Sequence, residues 1–101
     1  MDDQTLELYI QSCYTNFKLR WSAEKDAKLR RERGVSFIDL LGARVIHTKD
    51  HPRKLHQRVI FVDYREHIWV IPYVNCDGEI FLKTAYPSRA HTKMWKGGWL
   101  L

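Results

Sequence analysis

From Arg58 onward, apolar and polar positions alternate in three successive runs, RVIFVDY, HIWVIPYV and EIFLKTAY, which predict three strands. The links, Arg65-Glu66 and NCDG (Asn75 to Gly78), are short enough for antiparallel hairpins, and Asp77-Gly78 is a favoured turn pair. Pairing Tyr64 with His67 sets Asp63 opposite Ile68, Phe61 opposite Val70 and Val59 opposite Pro72. Side chains alternate along a strand, so this register defines two faces. Val59, Phe61, Ile68, Val70, Val74, Phe81 and Ala85 form one, the expected seat of the helices. Arg58, Ile60, Val62, Tyr64, His67, Trp69, Ile71, Tyr73, Thr84 and Tyr86 form the other, expected to be open. Lys83 and Asp63 fall on the covered face, at its margin. Pro72 cannot donate to a ladder and predicts a bulge or an edge, and Pro87 is expected to stop the last strand.

Upstream, NFKLRWS alternates Phe17, Leu19 and Trp21 with Lys18, Arg20 and Ser22 and reads as a half-exposed strand. Ser22 then caps a helix carrying Glu24 and Asp26 in its first turn and ending at Gly34. Ser36 opens a second helix through Leu41, with Asp39 placed for a capping box and Gly42 closing it. ARVIHT predicts a further strand, and KDHPRKLHQ a charged loop. Residues 2–12, acidic with Leu6, Leu8 and Ile10, read as a short helix.

A chain of 101 residues, 45% hydrophobic, suits one domain with one modest core. The expected class is α+β: an antiparallel meander with helices packed on one face. No apolar run is long enough to span a membrane, and Asp2 and Asp3 open the chain, so a soluble, cytoplasmic protein is expected. Cys13 and Cys76 lie far apart in no metal-binding spacing and read as reduced thiols. His47, His51 and His56 lack a partner set, so neither a metal nor another cofactor is expected. The net charge of +5 points to an anionic partner, and 13% aromatic residues favour nucleic acid or a protein interface over a membrane. After Glu79 no carboxylate side chain follows, while Arg89, His91, Lys93 and Lys96 do.

The stretch WSAEKDAKLRRERGVSF, with Trp21, Lys25 and Gly34 to Phe37, resembles the opening of the BrnT family of bacterial toxins, in the RelE/ParE-like group. The order that follows is also similar: a meander, then a last strand ending at Ser88-Arg89 and a basic tail. Ser22 stands where that family commonly has Asp. The likeness covers about residues 17–93; residues 1–16 read as an N-terminal extension, and 96–101 as either a docking tail or a segment folded back onto the sheet.

The resemblance implies the toxin of a type II toxin–antitoxin pair. Such a toxin is a metal-independent ribonuclease that cleaves RNA, including ribosome-associated mRNA, and is neutralised by a cognate antitoxin protein. Cleavage without a metal uses the substrate's 2′-hydroxyl as nucleophile. The protein must supply a base, positive charge for the phosphorane and an acid for the leaving oxygen. Arg89, matching the family's terminal arginine, and Lys83 are the candidate phosphate groups. His67 and His91 are the candidate proton carriers. Arg58 and Lys93 are candidates for backbone contacts, and Tyr64, Trp69, Tyr73 and Tyr86 for stacking on bases or for the antitoxin-binding surface. Two other readings stay open: a ParE-like toxin acting by protein binding without ribonuclease activity, and a small nucleic-acid-binding module.

Overall fold

A computed structural model of the chain describes residues 5–11, 16–54, 56–76 and 78–99, with the backbone alone for 5–11, 16, 17 and 76. The described strands are β1 (Thr5–Gln11), β2 (Asn16–Ser22), β3 (Arg44–Asp50), β4 (Gln57–Tyr64), β5 (His67–Cys76), β6 (Glu79–Leu82) and β7 (Tyr86–Ser88). The helices are α1 (Ala23–Arg33), α2 (Phe37–Leu41) and α3 (Arg89–Lys96). The strands form one mixed sheet in the order β1-β2-β6-β5-β4-β3, with β7 also on β5. The α+β class holds. The sheet is not antiparallel throughout, because β2 runs parallel to β6. Among the described residues no helix is long and apolar enough to cross a membrane.

Local signals place α1 and α2 where the sequence puts them, whereas the basic tail is itself a helix, α3. Ser22 Oγ accepts from Lys25 N at 3.1 Å, and Gly34 ends α1 at φ 70° while donating to Arg30 O. Ser36 and Asp39 close a reciprocal capping box on α2, each side chain accepting from the other's backbone N–H at 3.0 Å. Between the helices, buried Asp26 accepts from Phe37 N at 2.9 Å and from Arg30 Nε at 3.1 Å, locking the start of α2 to α1.

The β4–β5 register is the one the sequence predicts, from Tyr64 opposite His67 to Val59 opposite Pro72. The turn between them is costly, because Arg65 and Glu66 sit at φ 50° and 65°, where a side chain is strained by about 1–2 kcal/mol per residue. Glu66→Gly is therefore expected to raise stability by about 1 kcal/mol, after allowing for glycine's larger unfolded-state entropy. A urea titration with an unchanged slope checks it.

Which face carries the helices is the main correction. α1 and α2 cover Ile60, Val62, Trp69, Ile71 and Tyr73, the face expected to be open, and bury Leu19, Trp21, Leu29, Phe37, Leu40 and Leu82 with them. The face expected to seat them, with Val59, Phe61, Ile68 and Val70, is covered by Trp95 of α3 and by Ile46. Helices thus lie on both faces. Both faces are aliphatic at their centres, so alternation separates them without ranking them. The larger rings of Trp69 and Tyr73, joined by Leu19 and Trp21 of β2, make the broader surface for two helices.

Three further expectations change. Residues 5–11 are a strand paired with β2 (2–4 and 12 lie outside the described residues), and Leu6, Leu8 and Ile10 in fact recur with the period of a strand. The last strand is broken, since β6 ends at Leu82 and β7 resumes at Tyr86, with Pro87 inside β7 opposite Trp69. Pro72 explains the break. Lys83 N donates to Pro72 O at 2.8 Å, but proline has no N–H to return, and Lys25 Nζ takes the Lys83 carbonyl instead, at 2.8 Å. The break also turns Ala85 into the core under α1 and α2, away from the Phe61 face where the unbroken register puts it. Cys13, the Cys76 side chain, Asp77, Leu100 and Leu101 lie outside the described residues.

Candidate functional site

The α3 side of the sheet carries a groove of about 450 Å³, bounded by β3, the 51–54 loop, β7 and α3. Lys49, Arg53, Lys54, His51, His91 and Tyr86 give it its chemistry, over a floor that includes Phe61. No carboxylate lines it among the described residues.

A bulge aims Lys49 at this side. β3 pairs Val45 with Val62, then shifts so that His47, not Ile46, stands opposite Phe61, and Lys49 stands opposite Val59. Without the extra residue, alternation would turn His47 and Lys49 to the face under α1 and α2. As it is, His47 stacks on Phe61 at 6.4 Å between centroids, and Lys49 Nζ lies 5.4 Å from the same ring. The next loop is shaped by His51, whose Nδ1 accepts from the backbone N–H of both Arg53 and Lys54 at 3.0 Å. An accepting Nδ1 leaves the proton of the neutral ring on Nε2.

α3 closes the other wall. Ser88 caps it, and Thr92 Oγ1 accepts from Ile68 N at 2.8 Å while donating to Ser88 O at 2.6 Å, which ties the first turn to β5. That seating brings His91 over Phe61, 4.8 Å between ring centroids, with Nδ1 engaged by Ser88 Oγ at 2.7 Å. Nε2 is the nitrogen left for a ligand. Burial, and then the neighbouring charge of Lys49, hold the His91 pKa below the ordinary histidine value.

Of the residues the sequence singles out, His91 and Tyr86 meet in this groove. Tyr86 pairs with Val70, so it belongs to the Phe61 face and not to the one it was assigned, and it is 40% exposed. Lys83 lies opposite Pro72 on that same face, with Nζ 5.6 Å from the Phe81 ring, outside the groove's lining. Arg89 is the exposed first residue of α3, and Lys93 is exposed one turn on; neither lines the groove. His67 is exposed at the start of β5, its Nδ1 3.0 Å from Arg65 O, in clefts apart from His91. Arg58 is exposed on β4 and pairs with Asp50 at 3.8 Å. Two stacking candidates are corrected by burial: Trp69 is 6% and Tyr73 7% exposed beneath the helices. Tyr64 is half-buried, edge-on to Trp69, with the Arg65 guanidinium 5.0 Å from its ring.

Sequence reasoning passed over Lys49, His51, Arg53 and Lys54, reading them as a charged loop. Three cations and a histidine within six positions were the available signal.

The motif residues fall elsewhere. Trp21, Val35 and Phe37 are core, Ser36 is a cap, and Lys25 holds the broken ladder. Trp21, Val35, Ser36 and Phe37, the most distinctive residues of the motif, are thus scaffold. Among the described residues no three His, Cys, Asp or Glu side chains gather as a metal site would need.

Compared with family models, curated proteins and solved structures, the chain matches none. Fold and groove together define a class: a mixed-sheet α+β protein with a cationic, histidine-bearing groove.

Proposed function

We propose that this chain is a metal-independent endoribonuclease of the RelE/BrnT kind, the cytoplasmic toxin of a toxin–antitoxin pair held silent by a cognate antitoxin protein. One observation carries the ribonuclease reading: a histidine with a lowered pKa stands in a groove lined, among the described residues, by cations and no carboxylate. The family assignment, the antitoxin and the independence from metal rest on the resemblance of residues 17–93.

Each chemical requirement has a candidate in the groove. In the tautomer that donates Nδ1–H to Ser88 Oγ, His91 Nε2 carries the lone pair that removes the 2′-hydroxyl proton. The 2′-oxygen attacks phosphorus, and Lys49, Arg53 and Lys54 face the charge that builds on the phosphorane. His91, now an imidazolium, hands that proton to the departing 5′-oxygen, and the Nε2–H of the neutral His51 ring hydrogen-bonds the same oxygen as charge builds on it. The products are a 2′,3′-cyclic phosphate and a 5′-hydroxyl. Tyr86 stacks on a neighbouring base. Arg89 adds a phosphate contact from the start of α3, the role that the resemblance gives it.

The test is cleavage of an end-labelled single-stranded RNA by purified protein in EDTA. Cyclic phosphate ends on RNA, with the DNA of the same sequence left whole, are the expected result. RNA left intact with or without divalent ions overturns the reading, and growth arrest on expression would then favour action by protein binding.

A further inference from the structure

The ladder break made by Pro72 opens a second cavity, of about 310 Å³, between α1 and the 84–86 segment. Its α1 wall holds Lys25, Lys28 and Arg33 together with Glu32, a spacing that places them along one side of the helix, and its other wall holds Thr84. Three cations against one carboxylate leave it positive. Tyr86 lines this cavity and the His91 groove alike, so one exposed aromatic residue borders both. Nothing in the cleavage chemistry uses the α1 wall.

We infer that the substrate is a single strand of RNA running past Tyr86 from the His91 groove into this second cavity, where Lys28 and Arg33 hold a phosphate remote from the cut. The inference rests on the ribonuclease reading and deepens it. A duplex carries its bases paired and stacked inside, whereas a single strand can lay a base on Tyr86 and send its backbone along cations on either side. Lys25 keeps one of its three donors on the Lys83 carbonyl and thereby holds the cavity open. A dinucleotide fills the groove without reaching α1; a decanucleotide reaches both.

The experiment compares the parent chain with Lys28→Glu, Arg33→Glu and a control of equal charge change, Arg31→Glu, which is exposed on the same helix outside the cavity lining. Binding of a dinucleotide and a decanucleotide of 2′-O-methyl RNA, which cannot be cleaved by this route, is read by fluorescence anisotropy across a salt series. The expected result is a loss of about tenfold in decanucleotide affinity for Lys28→Glu and Arg33→Glu, with the salt slope shallower by about 0.7 for the contact removed. The ratio of decanucleotide to dinucleotide affinity should fall with them and hold in Arg31→Glu. Equal effects in all three variants, or none in the first two, overturn the inference. If unmodified RNA is bound with this same dependence yet stays whole, the ribonuclease reading falls and the binding track stands. If the parent chain binds neither oligonucleotide, both fall. Unchanged urea midpoints show that each variant is folded.

Discussion

A His91→Ala protein is expected to cleave single-stranded RNA at least about 100-fold more slowly than the parent chain, the usual size of a lost general base. The loss should sit in kcat, with KM changed far less, because Lys49, Arg53, Lys54 and Tyr86 still hold the strand. The pH profile makes the assignment specific. Burial and Lys49 hold the His91 pKa below the ordinary histidine value, so the ring stays neutral and competent at a pH where an exposed histidine is protonated. The acid limb of kcat/KM should therefore lie below the ordinary histidine range. Lys49→Gln, by removing the second cause, should move that limb to higher pH; a limb that stays put places the base elsewhere.

The same shift has a consequence for stability. As pH falls, the unfolded chain takes up the proton at its ordinary value while the folded chain resists, so folding weakens through that window and His91 exacts nothing above it. In His91→Ala, acid unfolding should begin at lower pH.

Trp21→Ala should cost about 3–5 kcal/mol, the range for deleting a fully buried large ring. Trp21 is 1% exposed, and its ring lies 5.9 Å from Phe37 between β2 and the helices. A domain of this size is stable by about 5–15 kcal/mol in total, so the variant should be marginal or unfolded at room temperature. Chemical denaturation monitored by near-ultraviolet circular dichroism checks it. A small cost would mean that the family-like segment does something other than hold the fold. Trp21→Phe, which keeps most of the apolar volume, should fall well short of the alanine cost.

These two expectations separate what the motif does from what the site does. The segment 21–37 was the most legible part of the chain because caps and left-handed stops are local: Ser22, Gly34, Ser36 and Asp39 act within a few residues of themselves. The meander was legible for a similar reason, since a two-residue turn between Tyr64 and His67 sets the register of everything along β4 and β5. The groove was not legible. Lys49 faces it because of an extra residue between Val45 and His47, and a bulge has no signature in hydrophobic alternation. Arg53 and Lys54 are placed by a histidine that caps its own loop, a contact that resembles ordinary polarity in the sequence. Lys83 and Tyr86, read on opposite faces, share one side because the strand between them breaks.

By itself, then, the sequence determined the helix boundaries of α1 and α2, the hairpin register and a surplus of positive charge, all properties of neighbours along the chain. Tertiary structure decided which face α1 and α2 cover, that β2 joins β6 in parallel, and that Lys49, His51 and His91 surround one groove. The reason is physical. Alternation divides a strand into two sides, but when both sides are aliphatic only the fit of distant elements, Leu19 and Trp21 from β2 against Trp69 and Tyr73, selects which one α1 and α2 cover.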